Sequence, residues 1–409
     1  MRSLIWILSF AAALPVWAQP ALFRSHPVTY FLGRGEARLS SIAVAPGPSG
    51  DIWVGGGASG NDLPTVNAIR AEYESDYCGN HRTCGDLILA RLKADGSGAV
   101  FSTYIGGLQT DELGDMAVDP EGNAYLVGLT NSPELELYAL SLVDPVDPRR
   151  AFLMKVSPEG EILYAASLPS GFPTAVAVDA DGAAYVAGRA FDSLGNAKIF
   201  HTSGTSAVSA FVMKVNAQGT SMDFASVLGG DKEDIRDIAL GDGGRIFVTG
   251  TTSSLDFPVT ASFGEALTGA DDNVFVAVLS PGGETLEFAA SVGGSGDERA
   301  PRLALAGDTV VLAGTTDSLD FPSMGALTAE AGERGDYWVA AIDWRTQMLR
   351  YSGYVGRERP NAGVALAAEE DSAAYVGRSQ AVWHEEGYLL YETPFLCGWV
   401  RTERSPTRT

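Results

Sequence analysis

Short apolar stretches recur along the chain at a nearly fixed interval, each rich in β-branched or small residues and each closing on glycine. They are DIWVGG at Gly55, NAYLVG at Gly128, AAYVAG at Gly188, RIFVTG at Gly250, TVVLAG at Gly314 and AAYVG at Gly377, with successive glycines 73, 60, 62, 64 and 63 residues apart. Just before each lies another apolar stretch (SIAVAP, DMAVDP, AVAVDA, DIALGD, RLALAG, GVALAA), often joined to it through Asp, Gly or Asn, as in DPEGN and DADGA. Stretches of four to seven residues bounded by turn formers predict strands, and this linkage predicts hairpins. A third strand follows after a longer loop: LILARL from Leu87, FLMKV from Phe152, FVMKV from Phe211, VFVAVL from Val274 and YWVAAI from Tyr337. A fourth follows after a turn: AVFSTYIGG, EILYAASL, SMDFASVLGG, TLEFAASVGG and MLRYSGYVG.

Five units therefore run through four strands in the same order. The sixth has its first two strands and a third-like strand, FLCGWV from Phe395, where the strands end. A matching fourth strand stands at the other terminus, because VTYFLG at Val28 to Gly33 is similar to STYIGG. Fixed-period repeats of four short strands predict an all-β fold, a single six-bladed β-propeller of four-stranded antiparallel blades. Pairing of the N-terminal strand with the C-terminal one would close the ring and leave no open blade edge. The blades are expected at roughly 40–107, 108–169, 170–230, 231–294, 295–356 and 357–401 with 28–33, within a domain of 19–402 and ahead of a tail of 403–409.

The repeats resemble the bacterial β-propeller repeat family known as SBBP, or seven-bladed. The likeness rests on DPEGNAYLVGLTNS, GGRIFVTGTTSSLDFP and AGTTDSLDFP, and on aromatic-rich strands ending in Gly-Gly before an acidic loop. It departs from the family's name in the count, six repeats where the name says seven. The resemblance implies an exported repeat protein and brings no assigned catalytic residue.

Export is also the reading of the first 18 residues, with Arg2 as the positive region, an apolar stretch from Leu4 to Leu14 and Val16-Trp17-Ala18 before a cut at Gln19. No cysteine follows the cut to accept a lipid, and the apolar stretch is short of the ~20 residues a spanning helix needs. A secreted or periplasmic protein without membrane insertion is expected. Export permits disulfides. Cys78 and Cys84, six apart in a Gly-flanked polar segment, are expected to bridge, with a metal site of Cys78, His81 and Cys84 as the rival and Cys397 as a buried thiol.

With 48 glycines and 45% hydrophobic residues the chain is neither disordered nor collagen-like, which leaves the turn-rich β reading. Its 28 basic and 51 acidic residues give a net charge of −23, so phosphate backbones and anionic membranes repel it. A protein or carbohydrate ligand and a monomeric state are expected, with no nucleic acid partner.

In a propeller of this strand order, the loops from fourth to first strand and from second to third surround one channel mouth. The first set is charged, and Asp111, Asp115, Asp231, Asp234, Arg236, Asp297, Arg299 and Arg357 are the candidate ligand-binding rim. Oxygen ligands from several blades could hold Ca²⁺; the alternative is a rim of solvated Arg–carboxylate pairs, each contributing little. No cofactor or resident metal is called for. The histidines, His26, His81, His201 and His384, are scattered, and H-E-x-x-H, G-x-S-x-G and P-loop signatures are absent. A non-catalytic binding scaffold is the leading expectation. A glycosidase- or lyase-like enzyme working through mouth carboxylates is the alternative.

Overall fold

Strands buried on both faces need continuous apolar runs, and the runs read above form such strands. The computed structural model describes residues 42–46 and 50–397, apart from 59, 62, 74–84, 96, 134, 136–137, 140–149, 170, 191–197, 201–208, 230–231, 266, 270, 326–334, 356–364, 370–372, 378–379, 384–388 and 393–395. Among these residues the one helical turn is a 3-10 turn at Asp242–Gly244.

The first sheet holds β1 (Ile42–Pro46), β2 (Ile52–Ala58), β3 (Asp86–Leu92) and β4 (Ala99–Ile105) in that order. The second holds β5 (Asp111–Val118), β6 (Ala124–Thr130), β7 (Tyr138–Ala139), β8 (Arg150–Val156) and β9 (Ile162–Ser167), in the order β5-β6-β8-β9-β7. The third repeats this order with β10 (Gly171–Val178), β11 (Ala184–Ala190), β12 (Lys198–Phe200), β13 (Ser209–Val215) and β14 (Met222–Leu228). So does the fourth, with β15 (Asp234–Leu240), β16 (Ile246–Thr252), β17 (Ala261–Gly264), β18 (Asn273–Leu279) and β19 (Leu286–Gly293). The fifth is β20 (Glu298–Ala306), β21 (Thr309–Thr316), β22 (Asp336–Asp343) and β23 (Met348–Val355) in sequence. Beyond it come β24 (Ala365–Glu369), β25 (Ala373–Gly377), a hairpin of β26 (Gln380–Trp383) and β27 (Leu389–Glu392), and β28 (Leu396–Cys397), which pairs with β25 through Val376↔Cys397.

The expectation of an all-β chain built on four-stranded antiparallel sheets holds. The strand expected at 28–33, and with it ring closure, lies outside the described residues. The chain divides into two compact units, Met1–Val186 with Lys214–Asp223 and Ala187–Met213 with Phe224–Thr409, the division running through the third sheet. In the first unit Trp53, Leu87, Phe101, Met116, Leu126 and Phe152 form a core between the first and second sheets, Trp53 and Phe101 meeting edge-on at 5.6 Å. In the second, Phe247, Val276, Phe288, Leu312 and Trp338 do the same between the fourth and fifth.

In the second, fourth and fifth sheets the recurring glycine of the second strand has a structural cause. The neighbouring first strand carries a β-bulge opposite it, between Leu113 and Asp115, Ile235 and Asp237, and Arg299 and Arg302. Each bulge pushes a carbonyl oxygen toward the glycine, so that a Cβ at Gly128, Gly250 or Gly314 would lie 2.0, 2.2 or 2.8 Å from the oxygen of Glu112, Asp234 or Arg299.

The bulge also aims a carboxylate outward. Asp115 accepts the Val176 N–H at 3.0 Å and Asp237 accepts the Leu303 N–H at 3.0 Å, each tying its first strand to the first strand of the next sheet.

One feature goes beyond four strands per sheet. The connection from second to third strand doubles back along the outer edge of the fourth. In the second, third and fourth sheets it adds a short parallel strand there: β7 on β9, β12 on β14, β17 on β19. In the first and fifth it makes a single bridge, Val66↔Ser102 and Met324↔Ser352, and a tyrosine completes the attachment. The Tyr104 hydroxyl accepts Leu63 N–H (2.8 Å) and donates to Gly60 O (2.9 Å). The Tyr354 hydroxyl accepts Phe321 N–H (2.8 Å) and donates to Ser318 O (2.9 Å). Covering the outer strand in this way blunts an edge that would otherwise pair with other chains. Tyr354→Phe leaves two buried backbone groups without their partner and is expected to lower unfolding stability by about 2 kcal/mol in urea titration; a cost under about 0.5 kcal/mol would show that the hydroxyl does not hold the strip.

Candidate functional site

The charged loops between fourth and first strands begin at Gly-Gly or a near variant and end at a carboxylate. That carboxylate does not point to solvent. Asp111, Glu233 and Glu298 are 1%, 0% and 0% exposed. An ionised group taken out of water needs donors, and the same repeat supplies them: a Thr-x-Ser that ends or follows the second strand, at Thr130/Ser132, Thr252/Ser254 and Thr316/Ser318. Asp111 Oδ2 accepts from Ser132 Oγ (2.9 Å) and Gly107 N–H (3.0 Å). Glu233 accepts from Thr252 Oγ1 (3.1 Å) and Lys232 N–H (3.2 Å). Glu298 Oε1 takes both Thr316 Oγ1 (2.7 Å) and Ser318 Oγ (2.6 Å), and its Oε2 takes Gly294 N–H (3.3 Å). Burial pushes Asp111 upward from the usual carboxylate range against these donors. At Glu298 burial dominates and Asp297 adds to it, so its pKa is pushed up to about 7 although the hydroxyls and Gly294 pull the other way.

The rest of the candidate rim is on the surface or beside the bulges. Asp234 pairs with Arg236 at 2.6 Å, and Arg299 bridges Asp297 and Asp317 at 2.5 Å each. These are exposed pairs, of a kind whose contribution to stability is small. Asp115 serves the bulge contact with Val176 described above. Asp231 and Arg357 lie outside the described residues, as do Cys78, Cys84 and all four histidines; of Cys397 only the backbone, in β28, is described. The six described residues of the rim thus divide among a buried corner, a bulge contact and surface pairs.

Sequence reasoning passed over the buried role of Glu233 and Glu298, and the part of Asp237. The available signal was the Thr-x-Ser at a constant offset after the strand-ending glycine, in GLTNS, GTTSS and GTTDS.

The SLDFP segments have a packing role in their own sheets. Phe321 stacks on Trp338 at 5.0 Å and Phe257 meets Phe275 at 4.6 Å. Asp320 accepts from Ser295 N–H (2.8 Å) and Ser295 Oγ (2.9 Å), tying this loop to the acidic one and holding the Asp320 carboxyl low. DPEGN and DADGA are hairpin turns: Asp119 takes Asn123 N–H at 2.7 Å and Asp179 takes Ala183 N–H at 2.9 Å. Among the described residues no three His, Cys, Asp or Glu side chains are grouped to hold a metal ion. No described helix is long and apolar enough to cross a membrane. A hollow beside the corner, lined by Thr110, Glu112, Leu129 and Asn131, has a volume of about 10 Å³, room for one water.

Four short antiparallel strands per sheet, repeated along the chain, are the arrangement of β-propeller repeats. Residues 100–133, running from β4 through Ser132, match the family model described as the beta-propeller repeat SBBP, so the chain carries that repeat and the resemblance drawn from its motifs stands. No curated protein matches the chain. Among solved structures, hydrazine synthase of Kuenenia stuttgartiensis is 10% identical over 84% of this chain and 75% of that one, with a TM-score of 0.47. A protein of unknown function from Dyadobacter fermentans is 10% identical over 88% and 93%, with a TM-score of 0.46. The β-propeller domain of the trilobed protease from Pyrococcus furiosus is 6% identical over 88% and 85%, with a TM-score of 0.42.

Proposed function

We propose that this chain is an exported, non-catalytic β-propeller scaffold: one six-bladed ring, closed by residues 28–33 against 395–400, that binds a protein or carbohydrate on its loop face. In this reading the first 18 residues are removed on export and Cys78 and Cys84 form a bridge. One observation supports the non-catalytic choice. The described rim carboxylates are committed to partners within the protein: Asp111 to Ser132 and Gly107, Asp234 to Arg236, Asp297 to Arg299. A glycosidase needs two carboxylates held apart across an open cleft, and a Ca²⁺ site needs six or more converging oxygens.

Calorimetric titration of the mature chain with Ca²⁺, alongside assays of acidic and neutral polysaccharides for cleavage and for binding, tests the reading. The expected result is no Ca²⁺ heat and no cleavage, with binding of a polysaccharide or of a protein ligand left intact by Asp234→Asn and Asp297→Asn. Cleavage abolished by either substitution, or a Ca²⁺ heat that either removes, overturns it in favour of chemistry at the rim.

A further inference from the structure

The corner between the fourth and fifth sheets contains an acceptor facing an acceptor. Asn273 opens β18 and is 2% exposed, and its Oδ1 is buried without a hydrogen-bond donor among the described residues. Glu298 opens β20, fully buried. Gly293, which ends β19, lies between them. A Cβ on Gly293 would sit 1.8 Å from Asn273 Oδ1 and 2.2 Å from Glu298 Oε2, so the two oxygens lie within about 4 Å of one another. Glu298 Oε1 is saturated by two hydroxyls, whereas Oε2 has one long contact from Gly294 N–H. A proton on Oε2 would supply the donor that Asn273 Oδ1 lacks and remove a charge from a site that water does not reach.

The groups around the pair favour that proton. Asp272 precedes Asn273, and its carbonyl accepts Glu298 N–H at 2.7 Å. Asp297 raises the proton affinity of Glu298 directly. Arg299, on the same strand, is engaged by Asp297 and Asp317 at the surface, and Asp320 is turned to Ser295. Asp336 opens β22, and burial holds the Tyr354 hydroxyl in its protonated form. Among the described residues the leading influences on the proton affinity of Glu298 are its burial, the Ser318 and Thr316 hydroxyls, Gly294 N–H and Asp297. The first and second sheets repeat the arrangement: Asp86 opens β3, Asp111 opens β5, and a Cβ on Gly106 would lie 3.0 Å from Asp86 Oδ1 and 2.5 Å from Asp111 Oδ2.

We propose that Glu298 is kept as a neutral acid donating to Asn273 Oδ1, so that the fourth and fifth sheets are joined by a proton-dependent latch that loosens as the pH rises past neutrality. The folded state binds this proton more tightly than the unfolded chain, whose glutamate titrates in the ordinary range. The latch therefore contributes in full below that range, and its contribution is lost as the pH climbs through about 7.

The test uses the full chain and Glu298→Gln, whose amide keeps a donor for Asn273 without a titratable proton. Melting temperatures of the two should agree at about pH 5, and by about pH 9 the parent should fall below the variant by about 5 °C. Carboxyl carbon NMR of chain labelled at glutamate should show one glutamate titrating near neutrality, absent in the variant. Parallel melting curves at all pH values, or no glutamate titrating above the ordinary range, overturn the proposal. So does a variant destabilised equally at every pH, which would mean that the Asn273 amide is turned to donate to an ionised Glu298. If the variant does not fold, the labelled parent alone decides through its titration.

Discussion

Alanine at position 250 is expected to destabilise the protein by about 3 kcal/mol, although it adds a single methyl group. The new carbon would stand 2.2 Å from the Asp234 carbonyl oxygen and 2.8 Å from the Ile235 Cα. Both are backbone atoms of the bulged strand, so no rotamer change relieves the overlap. The bulge must shift, and with it Asp237, whose carboxylate ties β15 to Leu303 of the next sheet. Gly282→Ala is the control, since its nearest neighbour is the flexible Glu284 side chain at 3.6 Å. Urea unfolding of both variants reads the effect. A Gly250→Ala variant within about 0.5 kcal/mol of the parent would separate the glycine from the bulge.

Phe321→Ala should cost about 4 kcal/mol and Leu319→Ala almost nothing, although both belong to the same loop. Phe321 is 2% exposed, stacked on Trp338 with an interplanar angle of 28° and packed against Tyr354 at 6.1 Å. Leu319 is 68% exposed. Truncating Phe321 opens a cavity and frees the loop attached through the Tyr354 hydroxyl, so limited proteolysis at this loop should accelerate together with the loss in denaturant midpoint. Equal effects at 319 and 321 would contradict the packing described here.

Strand order was legible because the inner strands are apolar along their whole length. β6 and β18 are buried at every position, which leaves an uninterrupted hydrophobic run in the sequence. The parallel strips were not legible. β7, β12 and β17 are two to four residues long, and what places β17 is the fourth strand's own backbone and Ser291, not a periodic pattern. For the site, charge at the loop ends was plain and burial was not. Asp111 and Asp234 read alike as acidic loop residues, yet one is sealed by Ser132, 21 residues away, and the other is paired with a neighbour in solvent. A count of charges does not distinguish them; the hydroxyl pair does.

The strip laid along each fourth strand is made by the same repeat as the strand it covers. Its hydrogen bonds close over 28 to 44 residues, as in Met324 to Ser352 and Gly60 to Tyr104. The entropy of closing a loop rises with its length, so the cover can form before distant parts of the chain exist. During synthesis, a repeat can finish its own outer edge as soon as it has left the ribosome. A raw edge is then offered to neighbouring nascent chains only for the time taken to make one repeat, on the order of ten seconds or less.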